Sequence, residues 1–242
     1  MAAMGAVATA SAADMPVKAV AKAPPAVLWT GCYVGGNVGT GWADKRYLDP
    51  LALGIAADLG NHTPTGWIGG GQVGCDYQTG IWVFGVQGML QAANLRANHN
   101  TAAVPPAAPD RIETQIRWLA TATARIGIAV QPNTLIYVKG GAAWVRDNED
   151  IFDTVTGLRE ATASVTRTGW VVGVGGEIMA WSNLSVFAEF NYLDFGNRNV
   201  TFTNLEIPPV PPTFPLTIRQ NVWTIMTGIN YRFGGGAVVA KY

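Results

Sequence analysis

The fold this sequence predicts is all-β: an eight-stranded, antiparallel, up-and-down transmembrane β-barrel. Three observations predict it. Eight segments alternate at period two, with one parity large and apolar and the other polar or small, as strands between two unlike environments do. Charged residues make up 13% of the chain, against about 25% in ordinary soluble domains. The connections between the segments alternate between two length classes, the pattern of short periplasmic turns and long external loops.

The first strand covers about 30–42, with Cys32, Val34, Val38 and Trp42 on one parity and Tyr33 and Asn37 on the other. The second covers about 66–78. The turn 78–80 leads into the third, about 81–95, where Trp82, Phe84, Val86 and Leu90 oppose Gln87 and Gln91. The fourth, about 112–130, sets Ile116, Trp118, Ala120, Ala122, Ala124, Ile126, Ile128 and Val130 against Glu113, Gln115, Arg117, Thr121, Thr123 and Arg125. After the turn 131–133, the fifth (about 134–146) points Ile136, Val138, Ala142 and Trp144 outward and Tyr137 and Lys139 inward. The sixth, about 162–180, sets Trp170, Val172, Val174 and Ile178 against Arg167 and Glu177. The turn 181–183 joins it to the seventh, about 184–194, where Val186, Ala188, Phe190 and Tyr192 oppose Phe187, Glu189 and Asn191. The eighth, 221–233, carries Trp223, Ile225, Ile229, Tyr231 and Phe233 on its apolar parity and Thr224, Gly228, Asn230 and Arg232 on the other. The remaining connections, about 43–65, 96–111, 147–161 and 195–216, are expected to be long polar loops.

The barrel is thus expected over 29–233. Residues 1–12 read as the remnant of a signal peptide, with Ala10-Ser11-Ala12 as a small-x-small cleavage site. Residues 13–28 read as a Pro/Ala/Lys periplasmic linker, and 234–242 as a short C-terminal tail. No stretch reads as a membrane-spanning helix: the uncharged run 23–43 contains Pro24, Pro25 and several Gly. A soluble lipocalin-like barrel would invert the pattern, with apolar residues inside and charge outside.

Eight strands leave an interior just wide enough for side chains. Arg117, Arg125, Lys139, Arg167, Glu177 and Glu189 share the parity opposite the Trp, Ile and Val face, so they are expected to fill the lumen as a salt-bridged plug. Buried charges must be paired.

Other motifs say less. Gly69-Gly70-Gly71-Gln72-Val73-Gly74 matches G-x-G-x-x-G, but no helix pattern follows, so the glycines read as strand curvature and close packing. His62 and His99 fall in different predicted loops and are the only histidines that could ligate haem or a metal. No third ligand stands at a supporting spacing. Cys32 and Cys75 share the outward parity near one end of the first two strands. Two readings stand for them: a cross-strand disulfide, or two lipid-facing thiols. No Ser-His-Asp arrangement is credible, and Glu177 and Glu189 read as ion-pair partners rather than a catalytic carboxylate pair. Neither enzyme activity nor a cofactor or metal is expected. A net charge of zero argues against nucleic acid as a partner.

The strings WTGCYVGGNVG (29–39), TGWIGGGQVGCDYQ (65–78), YVKGGAAW (137–144) and NYRF (230–233) carry a family likeness. The sequence resembles the alpha-proteobacterial outer-membrane surface antigens and small porin-family proteins with an OmpA-like eight-stranded barrel, over about 29–233. The resemblance implies an exported, non-enzymatic barrel in the cell outer membrane, in contact with outer-membrane lipid, lipopolysaccharide and the assembly machinery. It also implies that Tyr231 and Phe233, closing the last strand, act as the assembly signal. Some relatives are reported as haem binders. The sequence departs from the family at Cys32 and Cys75, where an aromatic is usual, and in continuing past Phe233. The leading function is a structural or surface-antigen barrel; a small-solute channel and loop-mediated binding of haem or host surfaces are the alternatives.

Overall fold

The computed structural model describes residues 29–49, 57–100, 110–205 and 213–233. The expected signal remnant (1–12), linker (13–28) and tail (234–242) lie outside the described residues. The described chain is almost entirely strand: β1 Gly31–Asp49, β2 Ala57–His62, β3 Thr65–Thr79, β4 Trp82–Asn100, β5 Asp110–Gln131, β6 Thr134–Asp153, β7 Arg159–Met179, β8 Leu184–Asn204 and β9 Thr213–Phe233. From β3 onward each strand pairs antiparallel with the next, β1 pairs with β3, and β1 also pairs with β9 and closes the sheet into a ring.

β2 and β3 form a single broken stave. Lys45 lies opposite His62 and Trp42 opposite Thr65, so both segments hold the same register against β1. Pro64 interrupts them because it has no N–H to donate; its carbonyl accepts from the Ala43 amide at 2.9 Å. The barrel therefore has eight staves, joined at one end by the short turns around 80–81, 132–133 and 180–183. We call this the turn end and the opposite one the extended end.

The strands outrun the predicted boundaries by a residue at most at the turn end and by several at the extended end. Segments 43–49, 96–100, 147–153 and 195–204, expected as loops, are strand. The connection between β6 and β7 shrinks to 154–158. There the Thr156 and Val155 amides donate to the Asp153 carboxylate at 2.8 and 2.5 Å and hold its pKa below the usual carboxylate value.

Where these extensions begin, the outward face of seven staves carries a ring of aromatics: Trp42, Trp67, Trp118, Trp144, Trp170, Tyr192 and Trp223. Trp42 lies opposite Trp223, and Tyr192 opposite Trp223 on the other side. The Tyr192 ring packs 4.3 Å from Trp223 and 5.5 Å from Trp170. A second set, Tyr77, Trp82, Trp181, Tyr231 and Phe233, is exposed at the turn end. Between the two sets no described outward residue is charged, and Val34, Val73, Val86, Leu90, Ile136, Val138, Val174 and Ile229 are exposed. At about 3.3 Å per residue and about 40° of tilt, this band is roughly 20–25 Å tall, the height of a bilayer core crossed by a barrel with aromatic girdles.

Two bulges move the side-chain parity beyond the ring. One lies between Ile116 and Trp118, the other between Asp194 and Asn197, where Gly196 adopts φ +62°. The first corrects the expected plug. Arg117 does not face the lumen but is exposed on the outer wall, and Ile116 takes the inward place. An extra residue in one strand reverses every alternation beyond it.

Candidate functional site

The lumen is the feature that sets what this barrel can do, and it is filled in layers. At the turn end, Arg125 on β5 and Arg232 on β9 meet Asp76 on β3 and Glu177 on β7. Each arginine touches both acids. Arg125 grips Asp76 through Nε at 2.8 Å and Nη2 at 2.5 Å and reaches Glu177 at 3.2 Å. Arg232 reaches Asp76 at 2.8 Å and Glu177 at 2.9 Å. Ser185 and Asn230 donate further hydrogen bonds to Glu177 at 2.5 and 2.9 Å. All four charged side chains are essentially inaccessible to water.

Aromatic rings complete this layer. The Arg125 guanidinium lies 4.9 Å from the ring centres of both Tyr33 and Tyr137, and Arg232 lies 4.7 Å from Trp29 and 4.9 Å from Tyr33. Such cation–π contacts are strongest where water is excluded. Tyr33 lies across Gly74 and Tyr137 across Gly175: a Cβ on either glycine would meet the ring about 2.5 or 2.6 Å away. The last glycine of the G-x-G-x-x-G string is thus a seat for a tyrosine and not a phosphate cradle.

One step further in, Lys139 pairs with Glu189, which also accepts from the Tyr137 hydroxyl at 2.6 Å. Gln91, Asn37, Gln72 and Asn230 run across the lumen as an amide chain, with bonds of 2.7, 2.9 and 2.5 Å. An apolar layer follows, built from Ile68, Met89, Leu95, Ile116, Leu119, Val145, Val171, Leu193, Val222 and Met226. The cavity between these layers is about 10 Å³, room for one water at most.

A second charged layer lies beyond. Lys45 reaches Glu149 at 2.6 Å and Asp147 at 3.4 Å, and Arg167 Nε lies 3.3 Å from Asp147. Tyr47 and Thr114 donate to Glu149, Gln220 donates to Asp147 at 3.3 Å, and Arg167 donates to the Ile218 carbonyl at 3.1 Å. Tyr47, Ile112, Ile151, Val200, Phe202, Leu216 and Ile218 form an apolar cluster adjoining it at the extended end.

Of the six residues expected to form the plug, Arg125, Lys139, Arg167, Glu177 and Glu189 point into the lumen, in two separate layers. Five partners were not expected: Lys45, Asp76, Asp147, Glu149 and Arg232. Asp76 and Arg232 sit on inward parity within predicted strands, and parity carried to the strand ends finds them. Lys45, Asp147 and Glu149 continue the inward parity of Tyr33 and Lys139 into segments expected as loops.

Neither histidine occupies a loop, contrary to expectation. His62 ends β2, is buried, and stacks on Tyr47 with ring centres 5.2 Å apart. The His99 backbone is in β4 opposite Ile112; its side chain lies outside the described residues. Among the described residues no cluster of three or more His, Cys, Asp or Glu is placed to hold a metal ion. Cys32 and Cys75 lie opposite one another across β1 and β3 and form a disulfide on the outward wall. Tyr231 and Phe233 face outward at the turn end, ring centres 5.1 Å apart, and Phe233 lies opposite Cys32.

Comparison with known proteins agrees with the barrel fold. A family model described as the outer membrane protein beta-barrel domain matches residues 1–210. The 31 kDa outer-membrane immunogenic protein of Brucella melitensis is 27% identical over 216 residues, 85% of this chain and 84% of the relative. The 25 kDa outer-membrane immunogenic protein of Brucella abortus is 26% identical over 235 residues, 93% and 92% of the two chains. Among solved structures, the outer membrane protein OprG of Pseudomonas aeruginosa is similar in fold, with a TM-score of 0.50 and 11% identity, over 87% of this chain and 99% of that one.

Proposed function

The chain belongs to the outer membrane protein beta-barrel domain family and resides in the outer membrane, and from its filled lumen we propose that it serves as a closed structural and surface-antigen barrel. On this reading it neither conducts solutes nor catalyses a reaction. The observation that carries the proposal is the stacking of charged, apolar, charged and apolar layers of described side chains across the lumen, with a cavity of only about 10 Å³ where the Lys139 layer meets the apolar one. Among the described buried side chains, the five cations Lys45, Arg125, Lys139, Arg167 and Arg232 face the five acids Asp76, Asp147, Glu149, Glu177 and Glu189, so this packed stretch of the lumen offers an ion no net charge. An ion entering the apolar layer would lose its hydration with no group to replace it. The polar wall beyond the tryptophan ring supports the surface-antigen half of the proposal, as do the immunogenic names of the Brucella relatives.

Single-channel recording on the refolded full chain in a planar bilayer tests it, with and without added haem. The expected trace is flat in both. A steady unitary conductance would overturn the closed-barrel reading. A conductance that haem abolishes would favour a ligand-gated pore instead.

A further inference from the structure

The ladder between β1 and β3 is the richest in glycine of all those in the ring. Eight of its twelve pairs contain one, against one of eighteen between β8 and β9. Glycine brings no side chain to a cross-strand pair and loses the most freedom on ordering, so Gly-rich strands hold their register weakly. The two strands are joined at the extended end, through the stretch that carries β2, and no turn ties them at the turn end. A slip of two residues would keep every outward side chain outward, so the apolar and polar pattern does not oppose it. It would carry Lys45 about 7 Å from its place beside Glu149 and Asp147. It would also shift the seam that β1 closes with β9.

One outward pair in this ladder is covalent. Cys32 lies opposite Cys75 and is bonded to it; across the other edge of β1, Cys32 lies opposite Phe233, the last residue of β9. The bond therefore stands at the mouth of the hairpin that no turn closes, beside the closing seam. Both cysteines are exposed on the outer wall, where they line an apolar depression with Val73, Val86, Ala122 and Ala124. In the membrane that depression faces acyl chains. A thiol in apolar surroundings keeps its proton, and only the thiolate exchanges with a disulfide. The inserted barrel is thus a poor place to make this bond. The periplasm, through which a chain bound for the outer membrane passes, is an oxidising one.

We propose that Cys32 and Cys75 are the substrate of a periplasmic thiol oxidase that carries a reactive disulfide, that the bond is made before the barrel enters the membrane, and that it pins the register of β1 on β3. The thiolate of one cysteine attacks the oxidase disulfide, giving a mixed disulfide and freeing one oxidase thiolate. The second cysteine's thiolate then attacks the chain sulfur of that mixed disulfide, forming Cys32–Cys75 and releasing the second oxidase sulfur. Two electrons pass from the chain to the oxidase, and the two thiol protons end on the oxidase dithiol. The covalent pair then marks the one register in which Tyr33 crosses Gly74 and Asn37 donates to Gln72 at 2.9 Å. The proposal rests on the outer-membrane location and not on the closed lumen, so a conducting barrel would leave it standing.

The test has two arms, both on the full chain. In Gram-negative cells, pulse-labelled chain is trapped with a thiol alkylator and its heat-modifiable migration is followed in parallel. The bond should appear before the barrel form does, and should be delayed in cells lacking the periplasmic thiol oxidase. Thiols that persist until the barrel form appears, or an unchanged rate without the oxidase, overturn the proposal. In the second arm, chains oxidised in urea are refolded into lipid vesicles. Cys32→Ser/Cys75→Ser should lower the yield of heat-modifiable barrel at least about twofold. Into that background go two new outward pairs, Val34→Cys/Val73→Cys in the same ladder and Val186→Cys/Ile229→Cys between β8 and β9. The first should restore the yield, because it fixes the same register two residues along; the second should not. An undiminished yield from the serine variant overturns the pin. Equal rescue by both pairs, or none by Val34→Cys/Val73→Cys, overturns it too, because any staple, or none, would then serve.

Discussion

On the turn-end side of the tryptophan ring the barrel wall is apolar outside and charged inside; beyond the ring the same strands are polar outside and more apolar inside. On β9, Ile225, Ile229 and Tyr231 face outward while Thr224, Asn230 and Arg232 face inward; further along, Thr217, Arg219 and Asn221 face outward while Leu216, Ile218 and Val222 face inward. The backbone and its register against β1 run through the change without a break. The inversion is therefore set by what bathes the outer face, lipid below the ring and water beyond it. The lumen belongs to neither solvent. Among the described residues its lining packs side chain against side chain, so it can hold an ion-pair layer or an apolar layer wherever partners are present.

The comparison predicts most sharply where a charge loses its partners inside the band. Glu177 holds both Arg125 and Arg232 and accepts from Ser185 and Asn230. Glu177→Ala leaves two buried guanidiniums with Asp76 alone. The expected cost is about 3–5 kcal/mol, as for other broken buried pairs, read as a drop in the urea midpoint of the barrel refolded into lipid vesicles. An unchanged midpoint would mean that water enters the lumen, and the layered description would fail with it.

A charge placed on the outer wall should cost by depth. Ile126 is outward within the band, opposite Phe84 and Val138 and on the turn-end side of its middle, so Ile126→Arg should destabilise by roughly 1–3 kcal/mol, between the interfacial and midplane penalties. Thr201→Arg, outward on β8 beyond the ring, should stay within about 0.5 kcal/mol. Equal penalties at the two positions would move the membrane boundary away from the tryptophan ring.

How far the sequence could be read follows from the same inversion. The eight staves were legible within the band, because there alternation sets Trp, Ile and Val against Asn, Gln, Arg and Glu. The strand extensions were not, because the apolar parity changes sides at the ring and the periodic signal cancels. That is why Lys45, Asp147 and Glu149, the partners that surround Arg167 in the second charged layer, fall in segments read as loops. Arg117 was misplaced for a different reason: a bulge adds one residue, and parity counted along the sequence cannot register it. The broken second stave escaped because Pro64 looks like the end of a strand and is an interruption within one.

A gentler probe compares one substitution on both faces of β9. Ile218 is fully buried in the extended-end cluster, whereas Ile225 is half exposed to lipid. Ile218→Val removes a methylene from a packed protein interior and should cost about 0.5–1.5 kcal/mol. Ile225→Val removes the same group from a face that acyl chains can refill, so its urea midpoint should shift by a few tenths of that at most. Equal shifts would show that the lipid face is packed against protein, as in an oligomer.

The smallest effect is expected where the lumen's chemistry is repeated in water. Arg159 and Asp150 are 3.4 Å apart, close to the 3.2 Å between Arg125 and Glu177, but the Arg159 side chain is 51% exposed and the Arg125 side chain 1%. In water both charges keep most of their hydration whether or not they meet, and salt screens what attraction is left. Arg159→Gln should therefore change stability by no more than about 0.2–1 kcal/mol, and by less in high salt. Paired with Glu177→Ala in the same vesicles, it measures what burial alone does to a guanidinium–carboxylate contact within one barrel. Should Arg159→Gln cost as much as Glu177→Ala, and cost the same at high salt, the extended end would not be the water-facing half, and the polarity of its outer wall would need a partner to explain it.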